Sequence, residues 1–383
     1  MTGAAAIAFP RLGRLTLADF RSYAALDLSL SAPLVALAGE NGAGKTNILE
    51  ALSLFTPGRG LRRAELAEMA RIGGEGGFAV AIALSEEGAP LRLGTGLEPR
   101  PGEPAVRRSR IDGVPVGSPA AFAEHVRLVW LTPAMDGLFA GSAGERRRFL
   151  DRMVLGIDAR HGARVNAFER ALRGRNRLLA EPAPDRAWLD GIEAEIAPLA
   201  VAVAAARRAT VDRLARVIAA HRDDASAFPW AGVVLEGTIE EMLTTLPEVE
   251  AETRYRALLR EGRGRDAAAG RALAGPQASD LLVWHGPKDV PAERASTGEQ
   301  KALLIGLVLA HARLVAEASG IAPFVLLDEI AAHLDPRRRA ALYTALSGLG
   351  SQVFMTGADP ALFADLPAGS ETFLVAPGAV RPL

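Results

Sequence analysis

The 383-residue chain contains no cysteine, which excludes a disulfide framework and any thiolate chemistry and makes the cell interior the expected compartment. Lysine is nearly absent as well. Of 44 basic residues only Lys45, Lys288 and Lys301 are lysine, a bias that points to genome composition rather than to function. Aromatic residues make up 5% of the chain, which gives poor support for a surface that stacks on the bases of a single strand. An excess of one charge sign is missing too: 44 basic against 45 acidic side chains leave −1, which excludes a polycationic tail but not a local basic surface. Long apolar runs are lacking. Ile196 to Ala206, which contains Pro198, and Ala302 to Ala310 reach about half of the ~20 residues that a spanning helix needs. Met1 to Pro10 has no charged region followed by an apolar stretch of signal-peptide length. A cytoplasmic protein without a membrane partner is expected. What is present, 49% hydrophobic and 23% charged residues, is the composition of a packed globular protein long enough for two or three core-bearing units.

Periodicity divides the chain in three. Leu15 and Leu17, then Leu26, Leu28 and Leu30, alternate with polar residues and predict two strands flanking Asp19 to Tyr23. Leu34 to Ala38 is a continuous apolar run, as expected of a strand buried on both faces, and Ile48, Leu49, Leu52 and Phe55 then take helical spacing. Phe78, Val80, Ile82 and Leu84 alternate again, and Asp112-Gly113 predicts a hairpin turn. From Glu145 to Gly275 the sequence is rich in Ala, Arg, Glu and Leu and reads as helix, with Pro198 as an interruption and the Arg/Gly/Ala-rich stretch 259–275 as a mobile connection. Strand patterns resume after Ser279. The expected divisions are 1–144 and 276–383, two parts of one α/β lobe with a mixed sheet, around a mostly helical insertion at 145–275.

Chemistry concentrates at three places. Gly39-Glu40-Asn41-Gly42-Ala43-Gly44-Lys45-Thr46 matches GxxxxGK[ST] between a buried strand and a helix, the phosphate-binding loop (Walker A), with Asn47 next to it. Its glycines allow backbone N–H groups to wrap phosphates, Lys45 reaches the β and γ phosphates of ATP, and Thr46 ligates Mg²⁺. The alternative is a chance glycine turn. Phe324 to Leu327 is an apolar strand ending in Asp328 and Glu329, the form of a Walker B: one acid for Mg²⁺, the other to orient or deprotonate the attacking water. A helix cap would explain one acid but does not require two. Ser296-Thr297-Gly298-Glu299-Gln300 opens a long apolar helix and resembles the signature motif of ABC-type ATPases, while Asp335 matches their D-loop. Alone, this pentapeptide is an ordinary helix start. In ABC-type ATPases Ser296 and Gly298 would face the nucleotide of another subunit, so one P-loop and one signature per chain imply a homodimer closed by ATP.

Lys45 and Asp328 stand much further apart in sequence than a compact transporter cassette needs, and the layout resembles the SMC-like branch of ABC ATPases. More specifically, the chain resembles the RecF family of recombination mediators. The match lies in Phe20-Arg21-Ser22-Tyr23, in Asn41 to Asn47 with Leu49-Glu50-Ala51, and in Gly58-Arg59-Gly60 with Arg62. It continues in Arg147-Arg148-Phe149-Leu150-Asp151, Arg175 to Leu179 and Thr356 to Asp359. The family's Gly-Pro-His-Arg-Asp-Asp stands here as Gly275-Pro276-Gln277-Ala278-Ser279-Asp280, which loses two basic side chains. This resemblance implies an ABC-type P-loop ATPase lobe with an inserted helical lobe, slow ATP hydrolysis, binding to double-stranded, gapped or junction DNA, and partners of the RecR and RecO kind. Arg21 and Arg59 are then expected at nucleotide phosphate, or else in surface ion pairs.

Between Arg146 and Arg177 there are ten arginines against three acids, and Arg170, Arg173 and Arg177 share one helical face. That stripe is a candidate for sequence-independent contact with a duplex backbone. The other reading is a solvated face paired with acids elsewhere. Two further functions remain open from sequence. A transporter's nucleotide-binding subunit would need a Q-loop glutamine and a switch histidine; no glutamine precedes Gln277, and Thr356 stands where the histidine would be. An ATP-binding scaffold with negligible hydrolysis is the third reading.

Overall fold

The alternating leucines build a hairpin: β1 (Arg11–Phe20) pairs antiparallel with β2 (Tyr23–Ser29), with Leu15, Leu17, Leu26 and Leu28 buried and Arg21-Ser22 at the turn. The computed structural model describes residues 7–85, 89–100 and 102–383, so Met1 to Ala6 of the amino-terminal stretch considered above lie outside the described residues. β3 (Leu34–Ala38) is buried at every position and leads through the phosphate loop into α1 (Lys45–Ser53). β4 (Phe78–Ser85), β5 (Leu91–Arg100), β6 (Glu103–Ile111) and β7 (Val114–Pro115) extend the hairpin into a six-stranded antiparallel sheet of order β2-β1-β4-β5-β6-β7. Its last turn is Asp112-Gly113 at φ 48° and 80°, the left-handed pair that a two-residue hairpin requires. β8 (Leu128–Leu131) follows.

Contacts divide the chain into two units. The first comprises the residues up to Asp136, Asp223–Pro229 and Thr297–Leu383; the second comprises Gly137–Arg222 and Trp230–Ser296. The second unit holds α2 (Ala143–Ile157), α3 (His161–Leu179), α4 (Arg186–Ala220), β9 (Ala231–Glu236), α5 (Thr238–Thr245), α6 (Glu248–Ala269), β10 (Asp280–His285) and β11 (Val290–Pro291). The divisions expected at 145 and 275 therefore fall inside it, and a three-stranded sheet of order β11-β10-β9 accompanies the helices.

Two local expectations are corrected here. Pro198 does not interrupt α4, which runs 35 residues through it. Proline removes one ladder hydrogen bond, and burial of Ile196, Ala197, Ala200 and Val201 on both sides outweighs that loss. The stretch from Leu259 is not a mobile connection: α6 continues to Ala269 despite Gly262 and Gly264. Its arginines have fixed partners, Arg263 on Asp190 and Glu193 at 2.5 Å and Arg260 on Asp190, so tertiary ion pairs override weak helix propensity. Phe168, Leu172, Ile196, Val203, Tyr255 and Leu259 form the apolar core of this unit. At its centre Arg175, fully buried, donates to Glu193 at 2.9 Å, to Asp266 at 2.7 Å and to the Leu259 carbonyl at 2.7 Å.

The first unit is completed by α7 (Thr297–Ser319), β12 (Phe324–Leu327), α8 (Pro336–Ser347), β13 (Val353–Gly357), β14 (Glu371–Ala376) and β15 (Ala379–Pro382). These strands form a mixed sheet of order β15-β14-β3-β13-β12-β8, parallel except for β15. In length and apolarity α7 resembles a membrane span, but 72% of its most apolar window is buried inside the protein, which makes it a core helix. Central β3, β13 and β12 end side by side, and ligands of such sheets bind in the crevice beyond the carboxyl ends of the strands.

Candidate nucleotide-binding site

The loop Gly39 to Gly44 leaves the end of β3 and returns as the first turn of α1. Two glycines are demanded by geometry. A side chain at Gly39 would collide with the Val375 carbonyl, and one at Gly44, where φ is 112°, would stand 2.7 Å from the Tyr23 hydroxyl and 2.8 Å from Ser22 Oγ. Tyr23 is buried, its phenol pushed up by that burial, and it donates to the Gly44 carbonyl at 3.2 Å. The FRSY-like turn is thus the floor under the phosphate loop.

Lys45 is 4% exposed and its Nζ donates to the carbonyls of Gly39 at 2.6 Å and Glu40 at 2.9 Å. Burial lowers its pKa, while the charges of Glu329 and Asp328 act in the opposite direction, so the ammonium lies within the field of both acids. Thr46 Oγ1 donates to Asp328 Oδ1 at 2.8 Å, which unites residues far apart in sequence. Glu329 leaves β12 in a left-handed conformation, φ 51° and ψ 31°, and its N–H donates to Thr356 Oγ1 at 2.8 Å. Lys45, Thr46, Asp328 and Glu329 are thus brought together beyond the ends of β3 and β12.

Arg21 is placed differently from the expected phosphate contact. Its guanidinium grips the fully buried Glu50 on α1 at 2.8 and 2.7 Å and donates to the Glu68 carbonyl at 2.7 Å. Arg62 shares Glu50 at 3.2 Å and reaches Asn47 Oδ1 at 3.0 Å, while Asn47 Nδ2 donates to Ser22 Oγ at 2.9 Å. Arg59 pairs with Glu65 in solvent at 2.5 Å, which is the surface ion pair weighed above. Glu50 was legible only as part of a motif, because nothing local marks an acid in an apolar helix face as the anchor of two arginines. Arg107, unremarked in the sequence, holds the other end of α1: it donates to the carbonyls of Leu54 at 2.6 Å and Gly58 at 2.7 Å, and burial lowers its pKa to about 10.

Ser296 and Gly298 are exposed at the start of α7, and Asp335 is exposed at the start of α8, which it caps through the Arg338 N–H at 2.9 Å. Arg338 also pairs with the Asp335 carboxylate at 3.6 Å and donates to the Gly298 carbonyl at 3.4 Å, tying signature to D-loop. Lys301, another of the rare lysines, pairs with Asp136 at 3.1 Å.

In the second unit Arg170, Arg173 and Arg177 are exposed on α3, as its periodicity predicts. Much of the arginine excess around them is committed. Arg146 pairs with Asp280 at 2.7 Å, Arg147 donates to the Ser279 carbonyl at 2.7 Å, Arg164 pairs with Asp158, Arg173 reaches Glu169 at 3.6 Å, and Arg175 is in the core. Asp280, retained in the altered Gly275 to Asp280 motif, is thus the partner of Arg146.

Comparison with known proteins fits this geometry. Two AAA-domain family models match, over residues 14–77 and 181–363. The chain is 52% identical over 371 residues, covering 97% of both chains, to the DNA replication and repair protein RecF of Mesorhizobium japonicum (strain LMG 29417 / CECT 9101 / MAFF 303099). It is 51% identical over 369 residues, 96% of this chain and 98% of the relative, to that of Rhizobium etli (strain CIAT 652). The chain belongs to the RecF family. Solved structures agree on the fold: RecF-ATP, described as the recombination mediator protein of the RecFOR pathway, superposes with a TM-score of 0.82 at 20% identity over 99% of each chain. The corresponding RecF-ATPrS structure superposes at 0.86 and 19% identity, covering 99% and 100%. A Smc head domain from Pyrococcus furiosus reaches 0.54 at 16% identity, covering 98% and 96%, in line with the SMC-like layout. Membership of the RecF family, whose relatives are DNA replication and repair proteins, removes the transporter reading.

Proposed function

We propose that this chain is an ATP-dependent DNA-binding protein of recombinational repair and replication-gap processing, in which ATP closes two copies on DNA and slow hydrolysis releases them. The observation that carries the reading is the convergence of Lys45, Thr46, Asp328 and Glu329, while Ser296, Gly298 and Asp335 stand exposed for a second copy. Thr46 Oγ1 and Asp328 Oδ1 are adjacent hard oxygen donors and fit Mg²⁺, whose remaining ligands are ordinarily phosphate and water. When bound, the ion neutralises charge on the β and γ phosphates. Glu329 then orients or deprotonates water, and Lys45 binds phosphate.

Glu329→Gln is expected to lower phosphate release about 1000-fold while lengthening the life of the ATP-held dimer. Single-turnover phosphate release and light scattering measure the two. Unchanged values of both would favour a scaffold that binds ATP without hydrolysing it.

DNA is assigned to the α3 stripe. Replacing Arg170, Arg173 and Arg177 together by alanine is expected to weaken duplex and gapped-DNA binding regardless of sequence and to reduce the salt slope by about 2 to 3. Titrations at several salt concentrations decide this, and an unaltered slope moves the DNA face elsewhere. Partners of the RecR and RecO kind belong to the same reading, supported by the RecFOR pathway named for the solved relatives.

A further inference from the structure

Two hydroxyls converge on Asp328, one from the phosphate loop and one from the strand end where a transporter would carry its switch histidine. Thr46 comes from α1. The other is Thr356, at the end of β13, with 0% exposure, which donates to Asp328 Oδ1 at 2.8 Å and accepts the Glu329 N–H at 2.8 Å. A hydroxyl has one proton, so with the proton on Asp328 its lone pair is left to take the Glu329 amide, and the two bonds fix each other.

The amide it takes has no place in the sheet ladder. The Asp328 N–H still bonds to the Leu131 carbonyl of β8 at 2.9 Å, but one residue later the chain turns left-handed. L-residues rarely adopt that conformation, and a part-buried N–H outside the ladder takes its partner from elsewhere. Thr356 provides it, and so sets the direction in which Glu329 leaves the strand.

We infer that Thr356 is a positioning residue for hydrolysis, a single hydroxyl that latches Asp328 and Glu329 in their relative orientation. The inference rests on the ATPase reading above. Binding of the nucleotide phosphates by Lys45 and the loop amides does not pass through this hydroxyl, so turnover depends on it and nucleotide affinity does not. A ligand that draws the Thr46 hydroxyl away leaves Thr356 still donating to Asp328. Threonine suits the place better than a longer polar residue because its methyl fills a site with no solvent, while its hydroxyl reaches the adjacent strand.

The test compares parent, Thr356→Val, Thr356→Ser and Glu329→Gln in the full chain. Thr356→Val keeps shape and removes the hydroxyl. Its kcat is expected to fall about 100-fold, as for a misplaced reacting group, with ATP affinity within about twofold of the parent. Hydrogen exchange at the Glu329 amide is expected to become about tenfold faster, the equivalent of one lost hydrogen bond. Thr356→Ser is expected to restore both. Should Thr356→Val not fold, Thr356→Ala makes the same comparison. Parental kcat in the valine variant beside a disabled Glu329→Gln overturns the latch alone, as does unchanged exchange at Glu329. Equal losses of affinity and kcat overturn it too, since they indicate general damage to the site. Phosphate release in the parent that Glu329→Gln leaves untouched overturns the ATPase reading, and this inference with it.

Discussion

Lys45→Ala is expected to lose about 100-fold in ATP affinity and, with it, nucleotide-driven pairing of two chains and their retention on DNA. The magnitude follows from removing charge-assisted hydrogen bonds to phosphate, about 1.5–3 kcal/mol in total. In the structure the Lys45 ammonium is buried, occupied by the Gly39 and Glu40 carbonyls, and within the field of Asp328 and Glu329. Nothing else in the loop brings a positive charge to that point, and Arg21 and Arg62 are engaged on Glu50. Lys45→Arg is expected to fail as well, because a planar guanidinium cannot replace a compact ammonium among loop carbonyls. The near-total replacement of lysine by arginine elsewhere in the chain makes the retention of lysine here chemically specific. Calorimetric titration with ATP, followed by light scattering with and without DNA, measures the chain of effects. An alanine variant that pairs and holds DNA as the parent does would refute the ATP-gated clamp.

Arg175→Ala is expected to destabilise the helical unit by about 3–5 kcal/mol, the usual result of leaving buried charges without their partner. Against a domain stability of about 5–15 kcal/mol this is severe. Among the described residues the variant strips Asp266 of its arginine partner and Glu193 of one of two, leaving Arg263 on Glu193. Both acids are buried at 7% and 1% side-chain exposure, so water does not replace what is lost. Arg175→Lys does not repair it, since one ammonium cannot serve two carboxylates and the Leu259 carbonyl in the directions a guanidinium spans. Urea unfolding of the parent and both variants gives the energies. DNA binding is expected to weaken alongside, although Arg175 touches solvent nowhere, because α3 also carries Arg170, Arg173 and Arg177. Intact stability in Arg175→Ala would mean that the two acids are held by something other than this arginine.

The contrast between Arg175 and Arg177 shows how far sequence can go. Both lie in one motif, and helical spacing correctly sends Arg177 outward with Arg170 and Arg173. The acids that capture Arg175 stand on α4 and α6, and no periodicity in α3 announces them. The same holds for α6, where glycines and arginines read as a loose connection until Asp190 and Glu193 are seen to receive the arginines. It holds for Pro198, whose cost is local and visible while the burial that offsets it is neither.

The sequence by itself determined what rests on short-range rules. Alternating leucines specify the opening hairpin, an unbroken apolar run specifies β3, and Gly39 to Thr46 between strand and helix specifies a phosphate loop because few other residues permit that backbone. The paired acids after Phe324 to Leu327 and the Ser296 to Gln300 helix start completed the ATPase pattern, and the distributed motifs pointed to the RecF family. Only the tertiary structure decided that Arg21 braces Glu50, that β9 to β11 belong with the helices, and that Thr356 stands behind Asp328 and Glu329. The physical reason is the same in each case: a buried charge or hydroxyl takes its role from the partner it meets, and those partners come together only when the chain has folded.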